Sequence, residues 1–410
     1  MMDATPETLV CRCCVVGGGP AGMMLGLLLA RAGVDTIVVE KHHDFLRDFR
    51  GDTIHPSTLE ALHDLGLLDE LLKLPHQKAM QLEGKVGDVT IPLADFSHLP
   101  VHAKYIVFMP QWDFLDFLAA HAKRYPNFRL LMDTQADGLI REECRVGGIT
   151  AKQGDNSLTI RAALTIGADG RHSIIRDKAG FARQEIGAPM DVLWFRLSRQ
   201  ESDQNETFGR IEAGQFFILI NRGEHWQCGY VIAKGSAETL KAEGIEKFRQ
   251  RITALAPFVA DRVNEIATFD NIKLLTVAVD RLLQWHRPGL ICIGDAAHAM
   301  SPVGGVGINL AIQDAIAAAN ILGESLRGEG EVADALLAQV QKRREWPVKV
   351  TQMMQVLIQN KVISRVLGRA TGKIRPPWLA RLFIHIPFLR RLPAGLIGIG
   401  VRPERVRVLS

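Results

Sequence analysis

Three short stretches, far apart in the chain, combine glycine with residues that can hold phosphate or hydroxyl groups. They are residues 17–22 (GGGPAG), 167–170 (GADG) and 294–298 (GDAAH). Glycine lets a backbone approach a ligand closely, and a carboxylate accepts hydrogen bonds from sugar hydroxyls. The first stretch alone predicts a bound dinucleotide. The three together, in this order and spacing, predict a flavin nucleotide held along its whole length.

The first stretch has the G-x-G-x-x-G spacing of a dinucleotide-binding turn. In such a turn Gly17 permits the tight bend, Gly19 lets a pyrophosphate approach, and Gly22 lets the helix pack closely on the strand. The apolar residues 9–16 predict a buried parallel strand before the turn, and residues 23–32 predict the helix after it. The positive end of that helix would face the phosphates.

A second predicted strand, at residues 36–39, ends at Glu40. This carboxylate follows Gly22 at about the 20-residue distance expected of the residue that binds ribose hydroxyls. It would also repel a 2′-phosphate. The nucleotide bound in this fold is therefore predicted to be FAD or NAD rather than NADP.

The second and third stretches each follow a predicted strand and provide Asp169 and Asp295. Ligands collect at the carboxyl ends of strands in a doubly wound sheet. An aspartate there can accept from the ribityl chain, which favours FAD because NAD lacks that chain. The glycine-rich turn at 304–307 precedes a predicted helix at 308–326. The N-terminus of that helix would stabilise negative charge on a reduced flavin by roughly 0.3–2 kcal/mol.

Size and composition narrow the class of protein. The chain has 410 residues, a formal charge of +4 and 47% hydrophobic residues, so two or three domains with a large core are expected. Basic residues are interleaved with acidic ones, so the charge pattern does not indicate binding of nucleic acid. No signal sequence and no apolar segment long enough to span a bilayer are expected. The six cysteines predict a reducing, cytoplasmic location, with Cys11, Cys13 and Cys14 as buried thiols rather than metal ligands.

The order of predicted elements gives an α/β fold. We expect a discontinuous Rossmann-like FAD-binding domain (residues 1–75, 103–180 and 270–345), an inserted antiparallel-sheet substrate domain (76–102 and 181–269) and a C-terminal helical segment (346–410). Within these, residues 49–56 are predicted to be irregular and outside the core. Ser57 and Glu60 predict a capping box that opens a helix to about residue 73. Residues 236–254 and 257–266 predict helices, and 273–279 a strand.

At this point the chain resembles the single-component flavoprotein aromatic hydroxylases, of the para-hydroxybenzoate hydroxylase type. The resemblance covers about residues 8–345. It rests on GGGPAG with Glu40, on GADG-x-x-S-x-x-R, and on GDAAHAMSPVGGVGIN. No second G-x-G-x-x-G, no halogenase W-x-W-x-I-P signature and no thioredoxin-like C-terminal domain is visible in the sequence.

The resemblance implies roles for particular residues. It implies that Arg50 lies near the flavin, that Gln111 contacts its pyrophosphate–ribityl part, and that Asp169 serves both FAD and nicotinamide docking. Asp295 would hold the ribityl chain. The full predicted cofactor-binding set is Gly17, Gly19, Pro20, Ala21, Gly22, Glu40, Lys41, Arg50, Gln111, Asp169, Asp295, Gly305, Gly307, Ile308 and Asn309.

The implied chemistry is that of a monooxygenase. NAD(P)H would reduce FAD, O₂ would add at the C4a carbon, and the resulting hydroperoxide would transfer oxygen to an aromatic or related small organic substrate. Arg50, Pro302 and His298 are the catalytic candidates. Trp194, Phe208, Phe217 and Trp226, on strands of the inserted sheet, are candidate walls of the substrate pocket.

Several alternatives stay open on the sequence. The same fold can support a flavin-dependent reductase or dehydrogenase that needs no oxygen, or a non-catalytic flavin-binding protein. Neither the substrate nor the choice between NADPH and NADH can be derived. The chain could be a monomer or a homodimer. Residues 377–410 could form a helix docked on the body, a dimer surface, or an element in weak contact with a membrane.

Overall fold

The computed structural model describes residues 7–46, 53–204, 207–368 and 378–407, the last range with side chains from residue 382. Two large sheets organise them. The strands of the first sheet are β1 (Glu7–Val16), β2 (Thr36–Val39), β8 (Phe128–Leu131), β9 (Thr134–Glu142), β10 (Arg145–Gln153), β11 (Asn156–Gly167), β19 (His286–Arg287) and β20 (Leu290–Cys292). Their order is β19-β20-β11-β1-β2-β8, and β9 and β10 extend the sheet from β11.

The centre of this first sheet is parallel. β1 pairs in parallel with β11 on one side and with β2 on the other, and β20 continues in parallel from β11. Cys13, Cys14 and Val15 are fully buried, as expected for a central strand covered on both faces. Burial raises the pKa of the Cys13 thiol well above its ordinary value. These central cysteines therefore act as small apolar side chains.

Helices pack on the first sheet and on one another. They include α1 (Pro20–Arg31), α4 (Gln111–Ala122), α8 (Gly307–Arg327) and α9 (Asp334–Ile358). With the turn before it, α8 is long and apolar enough to cross a membrane, but 72% of its apolar window is buried inside the protein. The surroundings of α8 are therefore those of a core helix.

The second large sheet is mostly antiparallel. Its strands are β5 (Gln81–Val86), β6 (Val89–Asp95), β13 (Met190–Ser198), β14 (Phe208–Glu212), β15 (Gln215–Asn221), β16 (His225–Ala233) and β17 (Lys273–Leu275). Their order is β17-β13-β16-β15-β14-β5-β6. This arrangement confirms the predicted fold class, an α/β nucleotide-binding fold joined to an antiparallel sheet. Smaller sheets pair β3 (Thr53–Ile54) and β4 (Gln77–Ala79) with β7 (Ile106–Phe108), and β12 (Arg183–Glu185) with β18 (Asp280–Leu282).

One face of the second sheet is covered by two short helices, α6 (Ala237–Ala242) and α7 (Ile245–Leu255). We call this side the helix face. The opposite side carries Trp194 and Phe216. These side chains and Val303, from the glycine-rich turn before α8, pack against one cluster of buried residues. We call this opposite side the turn face. Because successive residues of a strand point to opposite sides, the two faces carry different residues of the same strands.

Five local predictions were wrong in detail. The predicted capping box is absent, because α2 (Pro56–Asp64) starts with Pro56 in its first turn and Glu60 accepts instead from the backbone N–H of His102. That helix ends at Asp64 instead of near residue 73, just before Gly66, whose φ is +74°, and α3 (Leu68–Leu71) follows. Residues 257–266 form only 3₁₀ turns. The return strand β17 is shorter than predicted, and Gly244, with φ +90°, separates α6 from α7.

The C-terminal part returns to the body of the protein. α9 continues through a π-helical stretch (Gln359–Ile363) into α10 (Ser364–Leu367), so one helix runs across the predicted boundary at residue 346. α5 (Ile174–Ala179), earlier in the chain, follows the second motif. Beyond residue 377 come α11 (Trp378–His385), α12 (Arg391–Ala394) and a second π-helical stretch (Gly395–Ile399).

Candidate functional site

The three motifs meet at one edge of the first sheet. The backbone N–H of Ala168 donates to the carbonyl of Val16 at 2.8 Å, which places the second motif against the first. A Cβ atom built on Gly294 would lie 3.3 Å from the Cβ of Ala21, so the third motif also touches the first turn of α1. Residues from three distant parts of the chain therefore surround the carboxyl ends of β1, β11 and β20.

The glycines of the first motif have different surroundings. A Cβ on Gly17 would overlap the carbonyl of Ala168, and one on Gly22 would overlap the carbonyl of Gly17. Gly17 also has φ +108°. A Cβ on Gly19 meets no atom within 4 Å. Gly17 and Gly22 are thus required by packing, whereas Gly19 faces the side from which a pyrophosphate could approach.

The N-terminus of α1 suits an anion. Gly19 is the N-cap residue, no side chain caps the helix, and Pro20 occupies its first position. The first-turn N–H groups of a helix have no partner within the helix and carry its positive dipole end. Pro20 and Ala21, both predicted to contact the cofactor, lie in this first turn.

Glu40 is held at the end of β2 by backbone donors. One carboxylate oxygen accepts from the N–H of Gly18 at 2.9 Å, and the other from that of His42 at 3.2 Å. Each oxygen can accept more than one hydrogen bond, so the same carboxylate suits a ribose hydroxyl. The neighbouring Lys41 is exposed.

The two aspartates differ in their surroundings. The Asp169 carboxylate accepts from the hydroxyl of Ser173 at 2.5 Å and from the N–H of Ile175 at 3.2 Å. Burial raises the pKa of Asp169, and the hydrogen bond from Ser173 only partly opposes this. Asp295 has a side chain 32% exposed and lies 3.8 Å from the guanidinium of Arg171. Asp169 therefore positions the loop of the second motif, and Asp295 is the more accessible acceptor.

The glycine-rich turn at the start of α8 is held by hydrogen bonds from residues just before α2 and in its first turn. Gly304 and Gly305 adopt φ of +79° and +64°. The hydroxyl of Thr53 donates to the carbonyl of Gly305 at 3.1 Å. The side-chain oxygen of Asn309 accepts from the N–H of His55 at 3.0 Å and from the hydroxyl of Thr58 at 2.7 Å. The predicted cofactor residues Gly307 and Ile308 lie in the first turn of α8, between the hydrogen-bonded residues Gly305 and Asn309.

Sequence reasoning missed His55, which it assigned to an irregular region outside the core. His55 is fully buried, and its Nδ1 lies 2.7 Å from the carbonyl oxygen of Ile397. A carbonyl only accepts, so Nδ1 carries the proton in this contact. Burial lowers the pKa of His55 to about 4, so the ring is neutral near pH 7 and Nε2 is an acceptor. The Pro56 that starts α2 was the available signal, since it marks the preceding residue as an N-cap.

Two buried polar atoms near this turn lack a partner among the described residues. They are Nε2 of His55 and the side-chain nitrogen of Asn309. One is an acceptor and the other a donor. Buried polar groups in proteins are nearly always hydrogen-bonded. Together with the surroundings of Gly19, these atoms fit a site for a polar, ring-bearing cofactor such as a flavin.

His298, predicted as a catalytic candidate, is enclosed in a buried ionic cluster. Its Nε2 lies 2.5 Å from the Asp314 carboxylate, which also accepts from Arg344 at 2.9 Å and from the N–H of Gly294 at 3.0 Å. Burial alone would raise the pKa of Asp314, but His298 and Arg344 outweigh it and the pKa is lowered. His298 is 1% exposed. Its surroundings are those of a residue that fixes the third motif to α8.

The remaining catalytic and cofactor candidates have simpler positions. Pro302 is half-buried and immediately precedes the 3₁₀ turn Val303–Gly305, next to the turn face. Gln111 is the half-buried first residue of α4. Arg50 lies outside the described residues.

The candidate substrate walls fall on opposite faces of the second sheet. Trp194 is half-buried on the turn face, where it packs on Gly229 and in the cluster that contains Val303. Phe217 and Trp226 are fully buried on the helix face, and Phe208 packs edge-on against Trp226. The core of this sheet accounts for those three residues and places them on the face opposite the glycine-rich turn. Phe216 joins Trp194 on the turn face instead.

Comparisons with known proteins agree with this geometry. A family model described as "FAD binding domain" matches residues 10–354. The chain is 31% identical to a 6-methylpretetramide 4-monooxygenase of Streptomyces rimosus, over 95% of this chain and 94% of that protein. It is 26% identical to a ubiquinone hydroxylase of Rhodospirillum rubrum, over 96% and 91%.

The fold is shared with a solved structure. The p-nitrophenol 4-monooxygenase of Pseudomonas putida superposes with a TM-score of 0.78 at 20% identity, over 96% of this chain and all of that one. The likeness at this identity shows the fold, while the family model and the 31% identical relative cover most of the chain. This chain therefore belongs to the FAD binding domain family, among its single-component FAD-dependent monooxygenases.

Proposed function

We propose that this oxidoreductase hydroxylates an aromatic or related small organic substrate, with FAD as cofactor, NAD(P)H as electron donor and O₂ as oxidant. The observation that carries the proposal is the convergence of the three motifs around an open approach to Gly19. An aromatic substrate is supported by the named relatives, which include a 6-methylpretetramide 4-monooxygenase. It is supported also by Trp194 and Phe216 on the turn face.

When bound, FAD supplies the redox chemistry, since no side chain of the protein can carry a hydride or activate O₂. The protein would hold the two ends of the molecule differently. The N–H groups at the start of α1 would bind the pyrophosphate, and Glu40 the adenosine ribose. Asp295 would accept from the ribityl chain, because its carboxylate is partly exposed and that of Asp169 is occupied by Ser173 and the start of α5.

At the ring end, the protein presents one fixed donor and one fixed acceptor. The side-chain nitrogen of Asn309 can donate to a carbonyl of the pyrimidine ring, and Nε2 of His55 can accept from a ring N–H. The N-terminus of α8 lies beside them and stabilises negative charge. Both side chains are already oriented by bonds to other residues, so little reorganisation accompanies binding.

The turn face would exclude water from the reacting groups. Val303 packs against the same buried cluster as Trp194 and Phe216, so the glycine-rich turn is joined to the second sheet by apolar side chains. Dry surroundings favour transfer of oxygen to the substrate over its loss to water. Pro302 would lie at this boundary. We assign it a positional role, since its ring has no acid or base group.

We also propose the division into an FAD-binding domain built on the first sheet and a substrate domain built on the second, with the boundaries predicted from the sequence except at residues 273–275, which pair with β13 in the second sheet. The structure describes a chain that passes from the first sheet to the second and back. Limited proteolysis with and without FAD would test these boundaries.

The function is tested by purifying the protein, measuring bound FAD, and following NADPH and NADH oxidation with a panel of aromatic compounds. The proposal predicts one NAD(P)H and one O₂ consumed per hydroxylated product. Turnover that continues without O₂ would instead show a reductase. Bound FAD that NAD(P)H never reduces would show a non-catalytic flavin protein.

A further inference from the structure

A cavity of about 360 Å³ opens between the second half of α8, the first half of α9 and the segment that follows the second π-helical stretch. Its walls carry four cationic side chains and one carboxylate. The cations are Lys342, Arg343, Arg402 and Arg407, and the carboxylate is that of Glu404. We call this site the basic cavity. Its volume is in the range of cavities that hold small molecules.

The one carboxylate of the basic cavity is already paired. Glu404 is 7% exposed, and it accepts from two nitrogens of Arg343 at 2.6 and 3.1 Å and from Arg344 at 3.4 Å. A bidentate pair of arginine and carboxylate is among the stronger ion pairs in proteins. The other three cations of the cavity therefore have no carboxylate beside them that is not already bound to an arginine.

These three cations have no partner elsewhere among the described residues. Arg402 and Arg407 form hydrogen bonds through their backbones only, and the ammonium of Lys342 forms none. Every other arginine whose side chain the structure describes has a hydrogen bond, an ion pair or a ring contact, except Arg365 on α10. Positive charges that share a cavity repel one another, and a bound anion removes that repulsion. The unpartnered cations thus favour an anionic ligand.

The segment that carries Arg402 and Arg407 is held by both helices. The side chain of Asn320, on α8, donates to the carbonyl of Arg405 at 2.9 Å and accepts from the N–H of Arg407 at 3.1 Å. The carbonyl of Arg402 accepts from the buried Arg344 of α9 at 3.4 Å. The backbone positions of the two unpartnered arginines are therefore fixed at the cavity before any ligand binds.

The shape and charge of the cavity indicate the class of ligand. Ala317 and Ile321, four residues apart on one side of α8, provide an apolar wall. A ligand that fills the cavity therefore has an organic part as well as its charge. Arginine binds phosphate oxygens through two parallel N–H groups. Two phosphate groups carry roughly −3 to −4 near pH 7, which matches the three unpartnered cations.

We propose that the basic cavity binds a phosphorylated small molecule of the nucleoside diphosphate type. Its phosphates bind Lys342, Arg402 and Arg407, and its organic part packs on Ala317 and Ile321.

This site is separate from the three motifs. Asn320 lies about 20 Å along α8 from Gly307 at the start of that helix. The inference does not rest on the proposed function, because binding of a phosphate compound is measured without substrate or electron donor. A protein that binds such a compound in the basic cavity but hydroxylates nothing would leave the inference intact and remove the proposed function.

The test is calorimetric titration of the FAD-loaded, full-length protein with inorganic pyrophosphate, ADP and citrate. Bound FAD keeps the flavin site filled, and flavin absorbance after filtration verifies that the probes do not displace it. We expect one pyrophosphate or one ADP per chain, with weaker binding at high salt. Citrate carries a similar charge on carboxylates and should bind more weakly than either phosphate compound.

Arg402→Gln and Arg407→Gln should each weaken ADP binding about tenfold, the effect of losing one hydrogen bond to a charged group. The double variant should weaken it roughly a hundredfold. Arg365→Gln removes the same charge from an unpartnered arginine outside the cavity, so this matched control should bind ADP like the wild type. Because the side chains of Arg402 and Arg407 have no partner among the described residues, thermal unfolding without probes should be unchanged in each variant.

A wild-type protein that binds neither pyrophosphate nor ADP at millimolar concentrations overturns the proposal. So does ADP binding that the double variant leaves unchanged, since the probe would then occupy another site. An equal loss of affinity in Arg365→Gln and in the cavity variants would show an effect of overall charge and overturn it as well. Tighter binding of citrate than of both phosphate compounds would assign the cavity to carboxylates and overturn the proposed class of ligand.

Discussion

The Nδ1 atom of His55 donates to the backbone carbonyl of Ile397 at 2.7 Å, across 342 residues of sequence. This bond joins the start of α2, beside the glycine-rich turn, to the segment that follows α12. It also fixes the tautomer of the ring, since the proton must reside on Nδ1. The acceptor Nε2 is thereby left without a partner among the described residues, in a buried position beside Gly305 of the glycine-rich turn.

Because burial lowers the pKa of His55 to about 4, the unfolded chain binds a proton at this residue at higher pH than the folded protein does. Folding stability should therefore fall as the pH drops from about 6.5 to 4, by up to about 3 kcal/mol. The variant His55→Asn keeps a donor near Nδ1 but does not titrate. Urea unfolding of both proteins at several pH values measures the difference.

The expected result is a wild-type stability that declines relative to His55→Asn across that pH window and is parallel to it above pH 7. Parallel curves throughout the acid range would show that His55 is protonated as easily in the folded protein as in the unfolded chain. The conclusion that His55 is a buried, neutral acceptor would then be wrong.

Asp314 and His298 provide a second prediction. Asp314→Asn removes the carboxylate that faces His298 and Arg344, all three at most 1% exposed. Leaving a buried cation without its partner costs about 3–5 kcal/mol. We expect a large loss of unfolding free energy in urea, with loss of FAD because Gly294 also bonds to Asp314.

His298→Gln separates a positioning role from a catalytic one. If His298 only fixes the third motif, the variant should lower stability while the rate per FAD-loaded molecule stays within about twofold, with an unchanged pH profile. If the variant has normal stability and FAD content but its rate per FAD-loaded molecule is lower by 10²-fold or more, His298 is a catalytic residue.

The two faces of the second sheet predict opposite effects for two tryptophans. Trp226→Phe lies on the helix face and removes the hydrogen bond from the indole to Asp203 at 2.8 Å. It should cost about 1–3 kcal/mol of stability and leave the KM for the aromatic substrate unchanged. Trp194→Phe lies on the turn face. It should raise KM or the fraction of NAD(P)H oxidised without product, at little cost in stability.

Thermal unfolding and the ratio of product to NAD(P)H consumed measure both effects. A Trp226 variant that alters coupling with unchanged stability, together with a silent Trp194 variant, would show that the substrate lies on the helix face.

These cases show what the sequence could and could not predict. The motifs at Gly17, Asp169 and Asp295 were visible because each is local, with a strand, a turn and a ligand-binding residue in a short stretch. The alternation of β13 and β16 was visible too. Which of the two faces meets the cofactor domain depends on contacts with residues far away, such as Val303, so the sequence pattern predicts candidate pocket walls on both faces.

The same dependence on distant contacts explains why the sequence did not predict the surroundings of His298 and His55. His298 follows the third motif directly, but its partner Asp314 lies two turns into α8 and only the fold brings them together. His55 stands in a polar stretch whose composition is typical of a surface loop. Its burial results from α8 on one side and Ile397 on the other, which no local pattern indicates.

The surroundings of the three motif glycines permit a direct test of the central claim. Gly22→Ala should destabilise the protein with or without cofactor, because the added Cβ would overlap the carbonyl of Gly17. Gly19→Ala meets no protein atom within 4 Å, and its φ of −73° suits alanine. Its unfolding free energy without FAD should therefore equal that of the wild type.

The most direct measurement is calorimetric titration of FAD into the cofactor-free protein, the Gly19→Ala variant and the control Gly330→Ala, where the added Cβ also meets no neighbour. Loss of a close phosphate approach worth about 1.4 kcal/mol would raise Kd roughly tenfold. We therefore expect Gly19→Ala to bind at least that much more weakly, while Gly330→Ala binds like the wild type. Equal affinity in all three proteins, or no FAD binding by the wild type, would contradict the assignment of these motifs to a single flavin site.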